Sequence, residues 1–319
     1  MSSQSISMNA QSDWNADLEA RGAVRYREPM SRHSSWRCGG VADRYFEPAD
    51  VKDLIEFLSM VPDSEPIFWL GLGSNLLIRD GGLRGTVIAT TPGLGRLRWL
   101  DGNRLYAECG VTCARLARAA AAKNLAGIEF LAGIPGTLGG ALAMNAGALG
   151  GEVWDYVEAV ETVDRQGRVR HRARDEYQPD YREIRGPEGE WFVGGILRMT
   201  RSADGRGTDK IKAVLAQRSA TQPAGKATCG SVFKNPPGDF AGRLIEQCGL
   251  KGYRLGGCSI SSVHANFVEN DHGASAEDLE KLIVFVQAKV EATTGVRLEP
   301  EVRIVGLSGE RNTQEGGEE

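Results

Sequence analysis

The sequence predicts an α+β protein built from three consecutive units, and three observations carry that reading. Short apolar runs alternate with helical patterns from Trp36 onward. Many of the 41 glycines gather in two segments, 71–81 and 132–152, which marks places where backbone must approach something closely. A polar, Gly-rich stretch, SADGRGTD (202–209), reads as a linker before the last unit.

The first unit holds a strand in RYFEPA, a helix in ADVKDLIEFLSMV with Asp50 as N-cap, a strand–turn–strand in PIFWLGLGSNLLIRD and a strand in GTVIAT. The second runs through RLRWL, RLYAECG, the helix CARLARAAAAKNL, the Gly-rich segment, and the strands YVEAVETVD, VRHRA and WFVGGILRMT. After the linker come the helix KIKAVLAQRSA, the segment SVFKNP, the helix AGRLIEQCG, the run ANFVEN, the helix SAEDLEKLIVFVQAKVEATTG and the strand EVRIVG. The expected boundaries are a disordered lead-in at 1–30, units at 31–92, 93–201 and 202–306, and a disordered tail at 307–319. The polar N-terminus lacks a hydrophobic signal region, so a cytoplasmic protein is expected.

Composition excludes several function classes. The formal net charge of −4 makes no electrostatic case for nucleic acid. No apolar run approaches the roughly 20 residues of a membrane helix. The six cysteines form no C-x-x-C pair and the four histidines no H-x-x-x-H, so neither a metal site nor a disulfide framework is expected.

Gly71, Leu72, Gly73, Ser74, Asn75 and Leu76 follow a strand, so backbone N–H groups there can turn toward an anion; a plain tight β-turn fits as well. This segment is neither a P-loop nor a dinucleotide fingerprint. The second segment, with Gly133, Ile134, Pro135, Gly136, Thr137, Gly139, Gly140, Asn145, Ala146 and Gly147, suits a short helix whose N-terminus receives a phosphate. Close helix packing is its other reading. Two such turns in adjacent units suit one extended diphosphate ligand, such as an adenine-dinucleotide cofactor. Ser231 in GSVFKNP reads on pattern alone as the start of a strand.

The motifs SSWRCGGVAD, GLGSNLLIRDGG, AGIPGTLGGALAMNAGALGGE, DYR, GSVFKNP…AGRLIEQCGLKG, HANFVEN and LEPEVRIVG, in that order from about 35 to 306, resemble the UDP-N-acetylenolpyruvoylglucosamine reductases (MurB family), in their shorter form. The resemblance implies a two-subdomain FAD-binding region of the vanillyl-alcohol-oxidase type and a C-terminal α/β substrate-binding domain. It implies noncovalent FAD, NADPH as reductant, UDP-N-acetylglucosamine enolpyruvate as substrate, and a role in peptidoglycan synthesis. A monomer is expected.

By the same resemblance, Ser231 matches the proton donor to C2, Arg182 the arginine gripping the substrate carboxylate, and Glu301 the catalytic glutamate beside that carboxylate. The two carboxylates repel, so a raised Glu301 pKa is expected. The segments 71–76 and 132–147 match the FAD loops. Tyr181, Lys234, Asn235, His264 and Asn266 are candidates for the nucleotide sugar, with bracing of the fold the other reading for His264 and Asn266. Two departures stand out: Ile184 where the family has serine, and Thr221 where it often has lysine, leaving Lys226 or Lys234 for a phosphate. Another flavin oxidoreductase of this fold, or a non-catalytic paralogue, remains an alternative.

Overall fold

The computed structural model describes residues 20–309; the expectations for 1–19 and 310–319 lie outside the described residues. The lead-in is shorter than expected. Ala23–Pro29 form strand β1, antiparallel to β2 (Val41–Glu47), and Met30 behind it is fully buried. The polar composition of this stretch hid the strand, whose burial does not alternate: Arg27, at φ 52°, is skipped in the pairing, and Glu28 is buried while Tyr26 is exposed. The tail also begins later than expected: the Leu307 N–H donates to the Gly82 carbonyl, and the Gly81 N–H to the Leu307 carbonyl, both at 2.9 Å.

Helix α1 (Val51–Met60) starts where Asp50 accepts from the Asp53 N–H at 3.0 Å, and it buries Leu54, Phe57 and Leu58 at helical spacing. These pack beneath the sheet ordered β1-β2-β5-β3, where β5 (Leu83–Ala89) runs parallel between β2 and β3 (Ile67–Leu70). The central position of β5 explains its buried run of Val87, Ile88 and Ala89.

The second unit is an antiparallel five-stranded sheet. It comprises β6 (Leu97–Leu100), β7 (Arg104–Glu108) and the strands Glu190–Arg198, Val157–Asp164 and Val169–Ala173. Helix α2 (Cys113–Ala122), capped by Thr112, fills its core with Leu116, Ala117, Ala120 and Ala121. Helix α3 (Leu138–Ala143) carries the Gly-rich segment.

Helix α4 (Gly207–Thr221) lies at the start of the expected third unit, yet its Ile211 joins the core of the second. The third unit gathers α5 (Ala241–Gln247), α6 (Ala276–Thr294) and a small sheet of Arg254–Leu255, Cys258–Ile260 and Val268–Asn270. Helix α6 is delimited by a Ser275/Asp278 capping box and by Gly295 at φ 75°. Two long-range ties bind this unit to the first. The strand Arg303–Val305 pairs in parallel with β4 (Leu76–Ile78), and fully buried Trp36 donates its indole N–H to the Val268 carbonyl at 2.8 Å.

Candidate active site

A cleft of about 760 Å³ opens where the three units meet. Its lining includes both Gly-rich loops together with Arg182, Ser231 and Glu301. The volume suits a cofactor-sized ligand.

The first loop leaves β3 and turns at Gly73, whose φ is 62°. A Cβ there would stand 1.9 Å from the His33 carbonyl oxygen, so the tight turn demands glycine. Among the described residues, the backbone N–H groups from Gly71 to Asn75 find no protein acceptor. Gly136 and Thr137 in the second loop share that property, and the loops touch where a Cβ on Gly71 would meet Thr137 Oγ1 at 2.7 Å. A row of N–H groups on the wall of a cleft fits the diphosphate of a dinucleotide.

The α3 terminus does not serve as expected. Its first N–H groups are consumed internally: Leu138 donates to the Val111 carbonyl, Gly139 to Cys109 and Gly140 to Thr137 Oγ1. Gly139 instead allows close packing, since a Cβ there would stand 3.0 Å from the Cys109 side chain. Asn145 also departs from expectation. It is fully buried and off the cleft wall, donating to Glu152 Oε2 and the Asp180 carbonyl while accepting from the Trp154 N–H. It stitches the loop to the hairpin behind it.

That hairpin, Gln178–Asp180 with Glu183–Arg185, places Tyr181 and Arg182 at its two-residue turn. Arg182 takes a φ of 57°, a left-handed conformation uncommon for a residue other than glycine. Its Nε donates to Glu301 Oε1 at 2.9 Å, its Nη2 to the Gly147 carbonyl at 3.0 Å, and its guanidinium lies 4.9 Å from the Tyr181 ring centre. Arg182 makes these contacts with Ile184 in place of serine, and Ile184 itself packs against the second core.

Glu301 is held from its backbone. Its N–H donates to the Val232 carbonyl at 2.8 Å, and its own carbonyl accepts from Asn75 Nδ2 at 3.0 Å. Burial pushes its carboxyl pKa up, opposed by the charge and hydrogen bond of Arg182 and by the charge of Lys234. The direction is the expected one. The cause within the chain is desolvation rather than a second carboxylate.

Ser231 follows Gly230, which takes a φ of 74°, and Ser231 lies in no regular strand. The segment is clamped instead: Asn266 accepts from the Phe233 N–H at 3.0 Å, donates to the Phe233 carbonyl at 2.8 Å, and its own carbonyl accepts from the Val232 N–H. Asn266, only 3% exposed, therefore braces the fold. His264 does likewise, its Nδ1 accepting from the Asn266 N–H at 3.2 Å, which leaves the proton of the neutral ring on Nε2. Burial, the first cause, and the Lys251 charge push its pKa down.

The remaining candidates stand outside the cleft lining. Asn235 Oδ1 caps α5 through the Ala241 N–H, Lys234 Nζ reaches Glu299 at 2.6 Å, and the Tyr181 hydroxyl lies 3.5 Å from the Asn235 N–H. Sequence reasoning missed Trp69 and Trp191, whose stacked rings lie 5.4 Å apart and which also line the cleft. Both sit in apolar strands that read simply as core.

Comparison with known proteins decides the family. The description "UDP-N-acetylenolpyruvoylglucosamine reductase, C-terminal domain" matches residues 222–305, and "FAD binding domain" matches 42–172. The chain is 54% identical to the UDP-N-acetylenolpyruvoylglucosamine reductase of Methylococcus capsulatus, covering 90% of this chain and 94% of that one. It belongs to the UDP-N-acetylenolpyruvoylglucosamine reductase family. The counterpart in Alkalilimnicola ehrlichii is also 54% identical, over 89% of this chain and 95% of its own. The crystal structure of the Thermus caldophilus reductase superposes with a TM-score of 0.74 at 30% identity, covering 89% of this chain and 98% of that one. This reductase-family member is thus a flavin-dependent oxidoreductase with FAD as its cofactor. Among the described residues, no helix is long and apolar enough to cross a membrane, and no cluster of His, Cys, Asp and Glu could hold a metal ion.

Proposed function

We propose that this protein reduces UDP-N-acetylglucosamine enolpyruvate to UDP-N-acetylmuramate with NADPH, as a cytoplasmic monomer. The first two units bind FAD, and the third binds the nucleotide sugar. The carrying observation is that Ser231, Arg182 and Glu301, from three distant parts of the chain, line one cleft with both Gly-rich loops.

When bound and reduced by NADPH, FAD would supply the hydride that the enolpyruvyl group requires. Within the two loops, the unpartnered backbone N–H groups of Gly71–Asn75, Gly136 and Thr137 would hold it. Arg182 presents its fork to the substrate carboxylate, and the Gly147 carbonyl and Glu301 orient that fork. Ser231 donates a proton to C2, giving an alkoxide that is reprotonated from solvent. A serine hydroxyl is a weak acid, so its position must be rigid, and the Asn266 clamp two residues downstream supplies that rigidity. Glu301, inclined by burial toward its neutral form, tolerates the charge developing beside it.

Anaerobic stopped-flow absorbance near 450 nm tests this reading. NADPH should bleach the flavin, and the enolpyruvyl substrate should restore its colour. Ser231→Ala should keep the bleaching and lose roughly 10² to 10⁴ in the rate of recovery. Equal loss in both half-reactions refutes the assignment.

A further inference from the structure

Arg182 sits at the tip of a hairpin that forms a two-stranded sheet of its own, joined to no larger sheet. Such a hairpin is marginally stable by itself, yet a guanidinium that grips a carboxylate needs a fixed orientation. The surrounding hydrogen bonds supply the missing support. Two short stretches of backbone, 145–147 and 180–182, are cross-linked at both ends. Arg182 Nη2 donates to the Gly147 carbonyl at 3.0 Å, and Asn145 Nδ2 donates to the Asp180 carbonyl, also at 3.0 Å. The result is a closed ring to which each stretch contributes one side chain and one carbonyl. Gly147 leaves room for the crossing, because a Cβ there would stand 2.9 Å from Glu152 Cγ and 3.4 Å from Arg182 Nη1.

The amide of Asn145 is fully buried and fully matched. Its Nδ2 also donates to Glu152 Oε2 at 2.7 Å, and its Oδ1 accepts from the Trp154 N–H at 3.4 Å. Trp154, only 2% exposed, donates its indole N–H to the Leu142 carbonyl at 2.8 Å, so the amide is anchored in the second core. Burying an amide is costly unless its donors and acceptor are all met, and here they are met by the backbone and side chains that carry the hairpin. Glu301, the other partner of Arg182, is tied to the first Gly-rich loop through Asn75. Both members of the ion pair are thus placed from the loops that line the cleft.

We infer that Asn145 is a positioning residue for substrate: through the Asp180 carbonyl it fixes the Arg182 hairpin to the second Gly-rich loop, so that the guanidinium meets the substrate carboxylate in one orientation. Asn145 acts entirely through Arg182 and stays off the cleft wall. The inference rests on the reading of Arg182 as the residue that grips that carboxylate.

The test compares two ligands by calorimetry on the FAD-loaded full chain: UDP-N-acetylmuramate, which carries a carboxylate, and UDP, which carries none. Asn145→Gly deletes the amide and tolerates the native φ of 42°, so the substitution adds no backbone strain. Affinity for UDP-N-acetylmuramate should fall at least about tenfold, as expected for misplaced charge-assisted hydrogen bonds, with UDP affinity and FAD content unchanged. In stopped-flow, bleaching by NADPH should persist while recovery with the enolpyruvyl substrate slows. Equal loss for both ligands, no loss for either, or loss of FAD overturns the inference. Arg182→Gln completes a double-mutant cycle. With the guanidinium gone, Asn145→Gly should cost little further affinity, and additive losses overturn the inference. The same cycle separates the two readings. UDP-N-acetylmuramate affinity unmoved by Arg182→Gln sinks the reading of Arg182, whereas a loss with Arg182→Gln but none with Asn145→Gly sinks the positioning role alone. Should Asn145→Gly not fold, a crystal structure of the wild-type chain with UDP-N-acetylmuramate decides. Arg182 must hold the product carboxylate while remaining on the Gly147 carbonyl, with Asn145 still on the Asp180 carbonyl; a hairpin released from either carbonyl overturns the inference.

Discussion

Replacing Asn266 with alanine removes the clamp that sets Ser231. Two buried hydrogen bonds to Phe233, at 3.0 and 2.8 Å, disappear together, and the Phe233 N–H and carbonyl lose their side-chain partner. An amide–carbonyl bond contributes roughly 0.5–1.5 kcal/mol net, and a stranded buried group costs roughly 1–3 kcal/mol. Counting both groups, with partial rescue by entering water, the expected loss is about 2–5 kcal/mol. Urea unfolding followed by circular dichroism at fixed FAD concentration measures it, provided the denaturant slope is unchanged. Asn266→Asp keeps the acceptor toward the N–H but sets a carboxylate against the Phe233 carbonyl. It should be equally costly at neutral pH and should recover as acid restores an O–H donor. In stopped-flow, the alanine variant should keep flavin reduction and slow flavin reoxidation, because Ser231 lies two residues from the clamped backbone. A loss below about 1 kcal/mol, or equal slowing of both half-reactions, refutes the clamp.

Three further perturbations follow from the same geometry. Glu301 has a folded pKa raised by burial, so the stability it contributes is complete below the ordinary carboxyl range and is lost as pH rises through the folded value. The melting temperature of Glu301→Gln should therefore gain on wild type between about pH 4 and pH 8, and a gap that closes instead refutes the direction. Arg182→Lys cannot span Glu301 and the Gly147 carbonyl at once, so reoxidation by substrate should slow by roughly 10- to 100-fold while NADPH reduction persists. Gly73→Ala forces a side chain into a φ of 62° and against the His33 carbonyl; left-handed strain alone costs about 1–2 kcal/mol. Flavin absorbance after gel filtration should show reduced FAD retention.

Much of the local structure is legible in the chain because its causes are local. Asp50 three residues before Asp53, and Ser275 three before Asp278, announce helices α1 and α6, and each side chain caps as its spacing requires. The glycines at 71–81 announce a loop that must turn tightly, and the φ and close contact at Gly73 give the reason. The family motifs go further, naming Ser231, Arg182 and Glu301 together without any geometry.

Tertiary structure decides what those side chains meet. Arg182 and Glu301 lie 119 positions apart, and they join because the strand Arg303–Val305 returns to pair with β4 while a separate hairpin carries Arg182 to the same place. No periodicity encodes that register; it follows from which apolar faces bury one another. Asparagine is the clearest case. Asn75, Asn145 and Asn266 are chemically identical, yet Asn75 supports the Glu301 backbone from the cleft wall, Asn145 is sealed behind the loop, and Asn266 clamps Phe233. An amide offers the same donors and acceptors wherever it stands, and only packing determines whether a ligand or the protein's own backbone uses them.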